Sequence, residues 1–179
     1  MSIVLADFDT RFAARLAHRA ATFRAAIASL GERPTIVETG CLRALDNWTG
    51  DGQSTVVLDA VAQATGGTLW SVDKEVQSIA VAKPLTTSTL YVWGESVDFL
   101  SRFPCGIDFL YLDSNDDKEH SLAELKAAWP RLQSGSVVSI DDTFISNKRI
   151  GGKGELVVPF MQETGAKLIA HDYQHVWII

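Results

Sequence analysis

Cysteine is scarce in this chain of 179 residues, and the two present, Cys41 and Cys105, show no metal-ligand spacing. Two thiols cannot build a zinc cluster, and both read as thiols of a reducing compartment, which points to the cytoplasm. No apolar run approaches the roughly 20 residues that a membrane span needs. The opening stretch, Met1 to Asp7, lacks the basic region and long apolar core of a secretory signal. Positive charge is also in deficit: the formal net charge is -6, which withholds the basic surface on which binding to nucleic-acid backbone depends. Neither nucleic acid nor membrane is therefore expected as a partner, and a small molecule is. Repeats, low-complexity tracts and linkers are missing as well. What remains is ordinary globular composition, 46% apolar and 21% charged, in a chain long enough for one core and too short for two ordinary domains. A single domain over 1–179 is expected, with a helical extension at 1–33 before a core at 34–179.

Hydrophobic spacing supplies the elements. Phe8, Phe12, Leu16, Phe23, Ile27 and Leu30 recur at three- to four-residue intervals and predict one or two helices that end at Gly31 and Pro34. The apolar face of these helices is a candidate contact for a second copy of the chain. Seven strands are predicted: Thr35–Glu38, Thr68–Asp73, Thr89–Trp93, Ile107–Leu112, Ser136–Ile140, Lys167–Ala170 and His175–Ile179. Helices are predicted between them, from Val56 to Ala62, Lys74 to Lys83, Val97 to Leu100, Ser121 to Leu132 and Glu155 to Glu163. Regular alternation of strand and helix predicts a doubly wound α/β fold, a mainly parallel sheet with helices on both faces. The short Ala170–Tyr173 connection makes the last strand antiparallel.

In such a sheet, ligands bind beyond the carboxyl ends of the strands, where the order of the chain reverses. Polar residues collect there: Glu38, Asp73, Glu95, Asp113, Asp141 and Asp142 close or directly follow five separate strands. Any one of them is explained by helix capping. Five together point to one rim.

The succession Val37-Glu38-Thr39-Gly40-Cys41, then Asp73, Gly94-Glu95-Ser96 and Leu110-Tyr111-Leu112-Asp113 resembles the ordered motifs of class I S-adenosylmethionine-dependent methyltransferases, over residues 35 to 179. Glu-Thr-Gly with a delayed Gly-x-Ser-Thr and a late Asp-Asp is most similar to the small-molecule O-methyltransferases, among them catechol and macrolide-sugar enzymes. The resemblance implies a Rossmann-like fold, S-adenosylmethionine as cofactor and a small-molecule methyl acceptor. It implies that Gly40 and Cys41 let backbone approach the methionine moiety, that Ser54 and Thr55 donate to its carboxylate, and that Glu38 organises this loop or meets its amino group. Asp73 would accept from both ribose hydroxyls, with Lys74 next to it also on the cofactor side. Gly94, Glu95 and Ser96 would border the adenine, with Trp93 or Trp70 as stacking surfaces. Asp113, a cofactor-side residue as well, would with Asp141 and Asp142 hold Mg²⁺, the acids otherwise serving as a cap or a solvated turn.

Lys118 and His120, just after Asp113, are the candidate general bases, with a solvated surface position as the alternative. Lys148, Arg149 and Lys153 lie in a glycine-rich loop that would close over an anionic acceptor or simply connect two elements. One departure from the family pattern is the stretch Leu42–Thr49, which interrupts the tight glycine loop as a flap or a disruption. Three rival readings remain. Leu5-Ala6-Asp7-Phe8-Asp9-Thr10 looks like a phosphatase acid pair of the haloacid-dehalogenase type; a dinucleotide oxidoreductase shares the fold but not the Gly-x-Gly-x-x-Gly motif; a cofactor-binding scaffold would keep the fold without turnover.

Overall fold

Thr35–Thr39 (β1) is a short run of β-branched and apolar residues that starts just after Pro34 and is buried from Ile36 onward. It lies inside the sheet, between β2 (Thr68–Asp73) and β4 (Ile107–Leu112), and is parallel to both. The computed structural model describes residues 2–48, 53–145 and 149–179; Thr49, the glycine of the Gly-x-Ser-Thr stretch (Gly52) and Lys148 lie outside the described residues. The remaining strands of the main sheet are β3 (Thr89–Trp93), β5 (Leu132–Ile140), β8 (Lys167–His171) and β9 (His175–Ile178), in the order β3-β2-β1-β4-β5-β9-β8. Only β9 runs against its neighbours. The seven-stranded, mainly parallel sheet expected from the sequence is thus present. Two further two-residue strands, β6 (Phe144–Ile145) and β7 (Arg149–Ile150), pair with each other after β5 and were not expected.

Alternation along the strands sends successive side chains to opposite faces. Ile36, Leu69, Phe109, Tyr111 and Val176 pack on one face against α1 (Ser2–Phe8), α3 (Ala20–Ala28) and α4 (Ser54–Thr65). Val37, Leu110, Leu112, Val138 and Trp177 pack on the other against α6 (Ser96–Arg102), α7 (Lys118–Ala128) and α8 (Gly154–Glu163). A further helix, α5 (Val76–Ala82), covers the region of Cys41, Leu42 and Tyr91. No helix among the described residues is long and apolar enough to cross a membrane.

Several boundaries move for physical reasons. The segment expected to be helical from Phe8 starts at Ser2, passes through a π turn at Asp9–Ala13 and a three-residue α2 (Ala14–Leu16), and breaks at Ala17, where φ is +50°. Phe8, Phe12 and Leu16 are buried in this chain's own core, so the apolar face offered above to a second copy is already covered. Asp7 and Asp9 sit on helical turns and pair with Arg11 and Arg24, which removes the phosphatase reading and its required strand. The helix expected to reach Leu132 ends at Ala128 because Pro130 forces a tighter turn at Trp129–Arg131. Leu132 then opens β5, four residues earlier than expected.

Candidate active site

The chain reverses direction across the sheet between β1 and β4, and the loops leaving β1, β2, β3 and β4 meet there. Gly40 has φ +77°, and a Cβ at this position would collide with the carbonyl oxygen of Asp113. Only glycine lets the loop after β1 lie this close to the loop after β4. The Gly40 amide donates to Val72 O (2.9 Å), the Cys41 amide to Asp73 Oδ2 (2.9 Å) and the Glu75 amide to Asp73 Oδ1 (2.7 Å). Asp73 therefore fastens two loops with one lone pair on each oxygen and keeps further acceptor capacity for a ligand.

Beneath this loop Glu38 is completely buried. Its Oε2 accepts from Thr55 Oγ1 (2.8 Å) and Ser71 Oγ (2.6 Å), while Oε1 has no hydrogen-bond partner among the described residues. Burial raises its pKa to about 7, with the hydroxyl hydrogen bonds opposing. The Leu42 amide donates in turn to Thr55 Oγ1 (3.0 Å). Thr55 is consequently a prop for Glu38 and the loop rather than a donor aimed at the cofactor; Ser54 is buried beside it. The Cys41 thiol is also buried, and desolvation holds it protonated.

Above the loop is a cleft of about 290 Å³. Gly40, Asp73, Lys74, Gly94, Glu95 and Ser96 line it, as the sequence suggested. Arg43, Asn115 and His120 are also among the residues that line it. The first two have no strand-end signature and were missed. His120 Nε2 lies 3.1 Å from Ser96 Oγ and 3.4 Å from Glu124 Oε1, a buried carboxylate, which keeps the imidazole pKa above its ordinary value. Trp93 and Trp70 do not line the cleft: Trp93 turns outward and donates to Lys74 O (3.0 Å), and Trp70 packs on Phe99 and Phe103. Lys118 is drawn away as well, its ammonium 2.6 Å from Glu155. The Leu42–Thr49 departure is packed down rather than loose over its described part, with Trp48 stacked on Phe12 and its carbonyl accepting from Arg19 (2.8 Å).

Beside the cleft, Asp113, Asp141 and Asp142 bring carboxylate oxygens within 4.8 Å of one another. Two buried cations sit among them. Lys153 Nζ is 2.5 Å from Asp113, 3.1 Å from Asp142 and 3.7 Å from Asp116. Arg19 Nη1 is 3.3 Å from Asp141 Oδ2, which also accepts from Tyr111 Oη (3.0 Å), and Asp141 Oδ1 accepts the Asp142 amide (3.0 Å). Burial by itself lowers the lysine pKa, but Asp113, Asp141 and Asp142 outweigh it and hold Lys153 charged. The Asp113 carboxyl is pushed well above the usual range by burial and by Asp141, against the pull of Lys153. A resident divalent ion does not fit this arrangement: the ammonium stands between two of the three acids, and both oxygens of the third are already engaged.

A family model described as a methyltransferase domain matches residues 48–143, more than half of the chain. The chain belongs to this methyltransferase family. Its fold agrees with that of solved O-methyltransferases. NovP is 15% identical at TM-score 0.62, with 91% of this chain and 75% of NovP covered. CalS11, a TDP-rhamnose 3'-O-methyltransferase, is 17% identical at TM-score 0.63, with 91% and 77% covered. MycE, solved in complex with Mg, SAH and mycinamycin VI, is 11% identical at TM-score 0.63; 89% of this chain covers 48% of MycE. No curated protein matches the chain in sequence. In this methyltransferase, Gly40, Asp73 and Glu95–Ser96 gather at one cleft with Glu38 buried beneath it, and Asp113, Asp141 and Asp142 gather at its flank. Lys153 and Arg19, which decide the charge of that flank, come from segments remote in sequence. Arg19 carried a signal all the same, a cation in register with Leu16 and Phe23 on an apolar helix face.

Proposed function

We propose that the chain transfers the methyl group of S-adenosylmethionine to a hydroxyl oxygen of a small molecule. The observation that carries this reading is the cleft at the reversal point of the sheet, rimmed by Gly40, Asp73 and Glu95–Ser96, with Asp113 at its flank. The residues fit the cofactor. Asp73 has acceptor capacity left for two ribose hydroxyls, Glu38 has an unmatched buried oxygen below the loop that would meet the amino acid end, and Glu95 and Ser96 border the adenine. When bound, S-adenosylmethionine supplies an electrophilic methyl group on a sulfonium centre.

The chain's own residues then divide the work. His120, joined to Ser96, orients the adenine side. Asp113 takes the hydroxyl proton: its carboxylate is partly exposed at the flank of the cleft, whereas that of Asp141 is not. Lys118 is held elsewhere by Glu155 and has no part in this step. A small acceptor is supported by the net charge of -6 and by neighbours such as the TDP-rhamnose enzyme. Calorimetric titration with S-adenosylmethionine tests the reading. Asp73→Ala is expected to weaken binding by about 10- to 100-fold, the loss of hydrogen bonds to a charged acceptor, with Asp73→Asn in between and circular dichroism checking that both variants fold. Equal affinity in all three proteins would sink it.

A further inference from the structure

We infer that Lys153 is a built-in cation that takes the place of a divalent metal among Asp113, Asp141 and Asp142. Three carboxylates so close together repel one another unless positive charge is supplied. Here the chain supplies it: Lys153 and Arg19 against three ionised acids leave the cluster with a single net negative charge. A divalent ion added to that set would make the buried cluster positive, and it demands oxygen ligands at roughly 2.0–2.1 Å, space that Nζ already fills.

The local chain geometry is arranged to deliver this ammonium. After β7 the backbone returns to the end of β5. Gly151 donates to Thr143 O (3.2 Å), Gly152 adopts φ +51° against Asp142, and Gly154 lies so close to Thr143 that a Cβ would collide with its carbonyl oxygen. Three glycines thereby press Lys153 onto Asp142, the residue before Thr143. The lysine is only 1% exposed. It also stands at the N-cap of α8, the helix end at which a cation is disfavoured. Helix stability does not explain its position, and the three acids do. Within the methyl-transfer reading, on which this last step rests, the ammonium stays hydrogen-bonded to Asp113 as that carboxylate takes the acceptor proton. The sulfonium–carbon bond breaks as the oxygen–carbon bond forms, and the cofactor departs with the electron pair of the broken bond on sulfur.

Binding of Mn²⁺, followed by electron paramagnetic resonance, separates the two readings because it needs neither acceptor nor turnover. The wild-type chain is expected to bind Mn²⁺ no better than a control lacking the cluster, Asp113→Asn/Asp142→Asn. Removing one positive charge beside the incoming ion in Lys153→Met and Lys153→Ala is expected to strengthen Mn²⁺ binding by about tenfold or more, while Lys153→Arg stays like the wild type. Wild-type binding as strong as that of Lys153→Met, or no gain in either neutral variant once circular dichroism shows them folded, overturns the inference. If the neutral variants do not fold, the comparison of wild type with the double-Asn control decides alone: cluster-dependent Mn²⁺ binding by the wild type overturns it, and equal binding supports it. S-adenosylmethionine titration of the same proteins reports separately on the cofactor reading.

Discussion

A buried carboxyl group with one oxygen unmatched makes Glu38 a source of pH sensitivity. The folded protein holds its proton up to about pH 7, whereas the ordinary glutamate value is 4.5. Between those values the folded state binds more protons than the unfolded chain, so stability falls as pH rises through this window and is level above it. The difference corresponds to about 3 kcal/mol. Glu38→Gln removes the titration. Urea unfolding at about pH 5 and about pH 8 is expected to show wild type losing stability relative to the variant at the higher pH, and a constant difference would refute the assignment. Residues such as Glu38, Gly40 and Asp73 are legible in the sequence because a strand that ends on an acid beside a glycine is a local pattern. Lys153 is not legible in the same way: the neighbouring glycines mark a tight loop, but its partner Asp113 is 40 positions away, and only that contact shows the ammonium to be buried.

Periodicity located the elements, but not the start and the break of the N-terminal helix, nor the ends decided by a single side chain. The central strands and α4 follow from their apolar runs, but β6 and β7 are too short to show any period, and the tail of α7 is decided by Pro130. One contact between elements also escaped notice. Asp59, buried on α4, accepts from the amides of Thr87 (3.1 Å) and Ser88 (2.8 Å) and from Thr89 Oγ1 (2.7 Å), pinning the start of β3 to the helix. Asp59→Ala leaves these donors without their acceptor and is expected to lower unfolding free energy by about 2–4 kcal/mol. Chemical denaturation measures this. A change within error of zero would mean that water replaces the carboxylate without cost.

Across the whole molecule the N-terminal helices are part of the working core rather than an appendage. Arg19 reaches Asp141 over a separation of 122 residues, and Trp48 O, Tyr111 and Gln174 join the same network. Arg19→Met would strand a buried carboxylate beside the cleft and is expected to cost about 3–5 kcal/mol. Adding Asp141→Asn should recover part of that loss, because the stranded charge is then gone; a double variant no more stable than Arg19→Met alone would show the pair is not coupled. Strand order has a consequence of its own. β9 follows β8 in the chain yet lies between β8 and β5. Thus β8 has no strand to pair with except β9, and it joins the sheet only through that strand. The four residues His175–Ile178 therefore carry two ladders at once, so a proline placed among them would cut the outermost strand off from the rest of the sheet.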